Sequence, residues 1–307
     1  KEMVAYALSE KYNVLKNEGN LNNEIGVPLT IFRLDSTHEA AVIEMGMSGF
    51  GEISTLTEIV KPHVGIITNI GISHIEKLGS RQNILRAKLE ILDGMKPDGL
   101  LVLNGDDAML NGVKGLLKQR TVSYGLEEGA DYVAQNVKSR GEAGIDFDIM
   151  IKGKNYTIHV PAPGIHNVYN ALAAIAAGSE LGIPVETLAK GISRYSPGNM
   201  RLNIINVNGI KVINDAYNAS PQSVKAALDV LEEMETGRRI AVLGDMLELG
   251  EWTEQAHLDT GRMAAEKNID YIVTVGKEAV NIARGAAETG YAPDRIASFQ
   301  SNREAYE

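Results

Sequence analysis

Apolar positions fall along this chain in two alternating rhythms. Glu2 to Tyr12 carries Met3, Val4, Ala7 and Leu8 at helical spacing. Two strand-like runs follow, Leu29 to Leu34 and Ala40 to Met45, then a short helix over Glu52 to Ile59. Val64 to Ile70 is a continuous apolar run of the kind buried in a parallel sheet, and it is expected beside the strand that carries Glu44. Ser80 to Met95 predicts an amphipathic helix and Gly99 to Leu103 a further strand. Strands alternating with helices to about Gly125 predict a doubly wound, mostly parallel α/β sheet.

From Asp131 to Val160 the helical period stops. Asp146 to Ile151 and Tyr156 to Val160 alternate around Lys152-Gly153-Lys154-Asn155 and predict a hairpin. Helices over Asn167 to Leu181 and Val185 to Arg194 lead to Ser196-Pro197-Gly198-Asn199, the expected domain boundary, which gives domains of 1–197 and 198–307. The second block opens with a hairpin turning at Asn208-Gly209. It then alternates as helix Ser220 to Glu235, strand Ile240 to Leu243, helix Thr253 to Lys267, strand Tyr271 to Val275 and helix Lys277 to Thr289. That pattern predicts a Rossmann-like α/β domain. Ile296 to Gln300 reads as a strand whose following helix is cut off.

Composition narrows the function classes. With 307 residues the chain is long enough for two domains with their own cores. A formal charge of −10 argues against a nucleic-acid surface. No apolar run approaches the roughly 20 residues of a membrane span, and no signal peptide opens the chain. Zero cysteines exclude disulfides and thiolate metal sites and fit a cytoplasmic location. An acidic protein can still bind nucleotides, because helix N-termini and a metal handle the phosphates locally.

Several residues stand where ligand chemistry is usual. Asn214-Asp215-Ala216-Tyr217-Asn218-Ala219-Ser220-Pro221 joins an apolar strand to a helix. Ser220 as N-cap and Pro221 at the first helical position account for its end, but not for Asp215, Tyr217 and Asn218. Glu44 closes a strand before Gly46 and Gly49, placed either to hold Mg²⁺ on a nucleotide or simply as a solvated strand-end carboxylate. His74, in the loop after Asn69, is a candidate metal ligand or phosphate contact. On pattern alone Lys88 is an exposed helical lysine. His166-Asn167 with Asn170 reads either as an N-cap or as a pair of amides facing a base edge. Arg201, after the inter-domain turn, could reach phosphate. Gly244 to Gly250 follows a strand, where substrate loops belong. Asp106-Asp107 reads as a plain turn.

Taken together these runs resemble the Mur ligases, the ATP-dependent amide-forming enzymes of peptidoglycan precursor synthesis. Asn214 to Pro221, Gly244 to Gly250 and Gly19-Asn20-Leu21-Asn22-Asn23-Glu24-Ile25-Gly26-Val27-Pro28 point within the family to the branch that joins D-alanyl-D-alanine to UDP-N-acetylmuramoyl-tripeptide. The resemblance implies ATP and Mg²⁺ as cofactors, with Glu44, His74 and a carbamylated Lys88 at the metal and Lys88, His74 and Arg201 in catalysis. It places Asn167 and Asn170 at adenine, Arg201 and Asp215 at phosphate and ribose, and Asn22, Asn23, Ser48, Tyr217, Asn218 and Ser220 near the other substrates. It also implies a monomer whose second domain swings to close the site.

The family's phosphate loop, Gly-x-x-Gly-Lys-Thr/Ser, would lie just before Lys1, and its UDP-gripping domain before that. The C-terminal domain would continue past Glu307. The expectation is therefore a fragment with little or no ligase activity of its own, cut from an active parent. Two other readings stay in view. One is another ligase of the superfamily, such as a folylpolyglutamate synthase, which should lack the Asn214 to Pro221 run. The other is a non-catalytic nucleotide-binding module.

Overall fold

The computed structural model describes residues 1–235 and 237–307, which form two compact units. The first comprises residues 1–71 and 78–196; the second comprises residues 72–77 and 197–307. No helix among the described residues is long and apolar enough to cross a membrane.

In the first unit, α1 (Glu2–Leu8) is followed by β1 (Val14–Lys16), α2 (Gly26–Ile31) and β2 (Ala40–Val42). β1 and β2 pair in parallel as a two-stranded sheet, Val14 opposite Ala40. Then come α3 (Glu52–Val60), β3 (Val64–Ile67), α5 (Arg81–Leu89), β4 (Leu100–Asn104), α6 (Ala108–Lys114) and β5 (Arg120–Gly125), while α4 (Ile75–Leu78), between β3 and α5 in the chain, has its first three residues in the second unit. β6 (Tyr132–Ser139), β7 (Ile145–Ile151), β8 (Lys154–Val160), α7 (Ile165–Glu180) and α8 (Val185–Ile192) complete the unit. The six strands β3 to β8 lie side by side in chain order. β3 through β6 run parallel, whereas β6, β7 and β8 are antiparallel, as their hairpin pattern predicts.

α7 supplies much of the core. Its Ala171, Ala173, Ala174, Ala176 and Ala177 are buried in one cluster with Phe147, Ile149 and Ile158 of the antiparallel strands. Small side chains let a helix lie close to a sheet, and the large ones opposite fill the space. Each large side chain buried this way contributes roughly 1.5–3 kcal/mol.

Four sequence expectations need correction here. Leu29 to Leu34 is no strand, because α2 occupies its first half. Asn23 Oδ1 accepts the N–H groups of Ile25 and Gly26, Pro28 sits in the first turn where its missing N–H is harmless, and Thr30 Oγ1 donates to Gly26 O. The strand expected to run to Met45 stops at Val42, so Glu44 lies two residues beyond it. That strand pairs with β1 and, among the described residues, makes no ladder with β3. The helix expected through Met95 tightens at Leu89 into a single 3₁₀ turn, Glu90–Leu92.

The second unit opens with the antiparallel hairpin β9 (Asn203–Val207) and β10 (Ile210–Asn214). Its turn residues Asn208 (φ 52°) and Gly209 (φ 82°) are both left-handed, as a two-residue type I′ turn requires. α9 (Pro221–Glu233), β11 (Ile240–Gly244), α10 (Thr253–Glu266), β12 (Tyr271–Val275), α11 (Val280–Glu288) and β13 (Ile296–Phe299) follow. β11, β12 and β13 form a parallel sheet. α10 and α11 touch backbone to backbone: a Cβ on Gly261 would lie 1.9 Å from Ile282 O, and one on Gly285 2.1 Å from Leu258 O. After β13 a five-residue helix, α12 (Asn302–Tyr306), is the last element of the chain.

Candidate functional site

In the first unit, four successive parallel strands each end in a polar side chain: Asn17 after β1, Glu44 after β2, Asn69 after β3, and Asp106-Asp107 after β4. The carboxyl ends of parallel strands are where α/β folds bind ligands. Here these ends are braced by side-chain bonds to backbone.

Asn17 is fully buried. Its Nδ2 donates to Leu21 O at 2.8 Å and to Glu44 O at 2.9 Å, while its Oδ1 accepts the Glu44 N–H at 3.0 Å. On its other side, Lys1 Nζ donates to Asn17 O and Gly19 O. Glu44 itself is exposed, and its Oε1 accepts from Asn22 Nδ2 at 3.0 Å. Asn22 O in turn accepts the Gly46 N–H at 2.8 Å. Asn23, one residue on, accepts the Ile25 and Gly26 N–H groups just ahead of α2, whose N-cap is Ile25. Ser48 donates through both its N–H and its Oγ to the Glu52 carboxylate at the start of α3.

Lys88 is not the freely exposed lysine its pattern suggests. It is half-buried on α5, and its Nζ donates to Asn69 O at 2.7 Å. Burial holds its amine below the usual lysine range, and the nearby Asp107 charge pulls the other way. Asp106 and Asp107 are likewise no plain turn. Asp107 Oδ1 accepts the Met109 and Leu110 N–H groups at the start of α6, and its Oδ2 accepts the Ile70 N–H at 2.7 Å. Asp106 Oδ2 accepts the Leu126 N–H at 2.6 Å and the Tyr169 hydroxyl at 2.8 Å. Burial and that bond push the Tyr169 phenol well above its ordinary value.

At the start of α7 the N-cap is Gly164, with φ 94°, so Asn167 lies inside the first turn and is not the cap. Asn167 is buried; its Nδ2 donates to Pro163 O at 2.8 Å, and its Oδ1 accepts from Asn170 Nδ2 at 3.2 Å. The two amides are thus coupled, with Asn170 the exposed one.

In the second unit, the Arg201 guanidinium stacks over the Tyr217 ring, 3.9 Å from its centroid. Its neighbours Met200 and Leu202 hold left-handed φ values of 57° and 49°. Asp215 Oδ1 accepts the Leu202 N–H at 3.0 Å. Burial raises the Asp215 pKa, opposed by that bond and by the Arg201 charge. Asn218 accepts from the Ala219 N–H, and Ser220 caps α9 in a capping box with Ser223. His74, at φ 61°, bonds through Nδ1 to the Glu248 carboxylate within this unit.

Sequence reasoning passed over two residues that do much of the positioning, Asn17 and His257, and read a third, Asp107, only as a plain turn. His257 is fully buried, with Nε2 accepting the Met246 N–H at 3.0 Å and Nδ1 donating to Thr253 O, which fixes a neutral tautomer and the entry to the Gly244 to Gly250 loop. Asp245 in that loop caps the turn before α11 through the Glu278 and Ala279 N–H groups. The only advance signal for Asn17 is its place after an apolar trio, Val14, Leu15 and the Lys16 stem.

Two α/β units with polar loops gathered at the carboxyl ends of parallel strands define a ligand-binding α/β protein. The chain belongs to the Mur ligase family: residues 1–178 match the Mur ligase middle domain and residues 200–307 the Mur ligase, glutamate ligase domain. It is 43% identical to the UDP-N-acetylmuramoyl-tripeptide–D-alanyl-D-alanine ligase of Bacillus subtilis over 99% of this chain and 65% of that protein. The Escherichia coli ligase of the same name is 34% identical over 94% of this chain and 64% of its own. A crystal structure of MurF from Acinetobacter baumannii superposes with a TM-score of 0.91 at 35% identity, covering 99% of this chain and 65% of that one. MurF of Thermotoga maritima in complex with ADP gives 0.83 at 25% identity, covering 99% and 73%. The chain thus spans about 65% of the length of the B. subtilis relative. A folylpolyglutamate synthase of Mycobacterium tuberculosis, at 17% identity and a TM-score of 0.72, shares the fold.

Proposed function

We propose that the whole protein is an ATP-dependent ligase that joins D-alanyl-D-alanine to UDP-N-acetylmuramoyl-tripeptide in the cytoplasm. The observation that carries this reading is the 43% identity over 99% of the chain to a ligase of that name. ADP in the T. maritima relative supports ATP as the fuel.

The reaction has two steps. The tripeptide's terminal carboxylate takes the γ-phosphoryl group of ATP: a new O–P bond forms, the bond to the β-phosphate oxygen breaks, and ADP leaves. The dipeptide amine then attacks the acyl carbon. The tetrahedral intermediate collapses by breaking the C–O bond to phosphate, and the amine's proton is lost. Such chemistry rests mainly on positioning and charge neutralisation.

Residues of the chain divide that work. Asn170, oriented by Asn167, would read the adenine edge; Arg201 would contact phosphate and Asp215 the ribose. Tyr217, Asn218 and Ser220 would lie toward the dipeptide. No group of three carboxylate or imidazole side chains converges among the described residues. Glu44 fits Mg²⁺ as a single anionic ligand, because that ion usually takes most of its shell from phosphates and water. His74 and Lys88 are the further candidates. Bound Mg²⁺ would neutralise charge on the transferring phosphate. A lysine amine attacks CO₂ only in its neutral form, and the burial that lowers the Lys88 pKa favours that form. The resulting carbamate is an anion where an ammonium would repel the metal.

The test is ADP release by the whole protein given ATP, Mg²⁺, D-alanyl-D-alanine and UDP-N-acetylmuramoyl-tripeptide, the third residue being lysine or diaminopimelate. Turnover should require both peptide substrates, fall at least 100-fold in Lys88→Ala (~2.7 kcal/mol of barrier) and recover in part with a short carboxylic acid. No turnover with either tripeptide would refute the reading.

A further inference from the structure

We propose that Asn17 and Asn22 are positioning residues that together present the Glu44 carboxylate to a divalent cation. The inference rests on Glu44 as the cation ligand, and it concerns what holds that ligand in place.

Glu44 lies outside β2, in a stretch with no ladder of its own, yet its backbone is fixed on both sides. Asn17 Oδ1 takes its N–H and Asn17 Nδ2 its carbonyl, across 27 residues of chain. These partners leave no freedom in the amide's orientation, since a flipped Asn17 would face an N–H with an NH₂ and a carbonyl with an oxygen. The side chain is held separately, by Asn22 Nδ2 on Oε1. Oε2 takes no hydrogen bond from any described residue, and the side chain is exposed. One oxygen is therefore tied and the other left without a hydrogen bond, in a carboxylate whose charge is also felt by the Lys1 amino terminus.

The same loop holds Asn22 in register. Asn17 Nδ2 donates to Leu21 O, next to Asn22, and Asn22 O receives the Gly46 N–H. A side chain at position 46 would displace that amide. A Cβ there would lie 2.9 Å from Asn22 Nδ2 and 3.0 Å from its Cγ. Glycine at 46 thus makes room for the amide that orients Glu44. Asn22 and Gly46 are each only partly buried, so changing either spares the core.

A carboxylate fixed in one rotamer binds a cation without first losing the entropy of a free glutamate side chain. Losing a charge-assisted bond to it corresponds to roughly tenfold in binding.

The experiment uses the whole protein and follows two quantities: the Mg²⁺ concentration that half-activates ADP release, and the Mn²⁺ dissociation constant in the presence of ADP, read from the electron paramagnetic resonance signal of free Mn²⁺. Asn22→Ala and Gly46→Ala are each expected to raise both about tenfold, and in Gly46→Ala kcat at saturating Mg²⁺ should stay within about twofold of wild type. Asn17→Ala serves as the buried counterpart, and its loss of fold would leave the other two variants to decide. Unchanged Mg²⁺ and Mn²⁺ dependence with a raised KM for either peptide substrate would make Asn22 a substrate contact and overturn the proposal. A uniform fall in kcat at unchanged cation dependence would overturn it as well, leaving only a structural role. Glu44→Gln is run in parallel: if it leaves the cation dependence unmoved, the assignment of Glu44 as ligand fails, whatever Asn22 does.

Discussion

The loop after β1 and the segment after β10 carry similar runs of asparagine and small residues, and they are built by opposite means. Residues 17–26 are organised from beneath, by an asparagine with no exposed surface whose amide reaches chain 27 residues away. Gly26 packs so closely that a Cβ would lie 2.4 Å from the Leu21 Cα. Residues 214–220 combine short-range bonds, Asn214 Oδ1 to the Ala216 N–H and Asn218 Oδ1 to the Ala219 N–H, with ties to the 200–202 turn, where Asp215 Oδ1 accepts the Leu202 N–H and Met200 O the Tyr217 N–H; Tyr217 is 40% exposed. The first loop is knitted into the fold from a buried side chain; the second is tied at Asp215 and Tyr217 to the 200–202 turn, and only its Asn218 end rests on a sequence neighbour.

Two asparagine deletions break the comparison most directly. Asn17→Ala would leave a cavity where a fully buried side chain stood and remove the partners of the Glu44 N–H and two carbonyls in a partly buried place, where an unsatisfied group costs about 1–3 kcal/mol. We expect a loss of about 3 kcal/mol or more, read from urea denaturation of the chain. Asn218→Ala should stay within about 0.5 kcal/mol of wild type. Equal effects would erase the distinction between the two segments.

A smaller effect sharpens what Tyr217 does. Its ring lies under Arg201, whose neighbours Met200 and Leu202 have left-handed backbone conformations. An exposed cation–π pair is worth about 0.5–1 kcal/mol. If the ring face is what matters, Tyr217→Phe should keep the KM for ATP and Tyr217→Leu should raise it about two- to fivefold. A defect in the phenylalanine variant that falls on the KM for D-alanyl-D-alanine would assign the work to the hydroxyl instead.

The difference between the segments also explains what was legible beforehand. Alternating strands and helices show in the apolar rhythm, and the hairpin turns at Lys152-Gly153 and Asn208-Gly209 announce themselves through left-handed turn residues. Leu29 to Leu34 misled because Leu29, Ile31, Phe32 and Leu34 form an apolar run of strand length, while Asn23 and Pro28 set the start of a helix. β1 is three residues long, too short to carry a period. Local polar chemistry can be read directly: Ser220 as the cap of α9 needs only its own neighbours. Asn17, Asp107 and His257 act through partners distant in sequence or through burial, and neither is written in the residue itself. Lys88 misread as an exposed lysine is the same case, since Asn69 O lies 19 residues away.

Asp215 gives the smallest stability effect and the cleanest sign. Burial raises its pKa, so the folded chain holds that proton to higher pH than the unfolded chain does. The group's contribution to stability is therefore fully present below the unfolded value near 3.9 and is lost as pH rises through the raised folded value. In an Asp215→Asn variant the amide oxygen would still accept the Leu202 N–H without carrying the buried charge. Wild type and variant should melt together at the acid end and part as pH rises through that window, the variant becoming the more stable by no more than about 0.5 kcal/mol at neutral pH, because solvent screens a half-exposed carboxylate. Melting temperatures between pH 3.5 and 7 measure this. The same variant of the whole protein should bind ATP about tenfold more weakly if the carboxylate contacts ribose. A variant less stable at neutral pH would mean that Arg201 and Leu202 outweigh burial, and that Asp215 is held for the fold as Asn17 is.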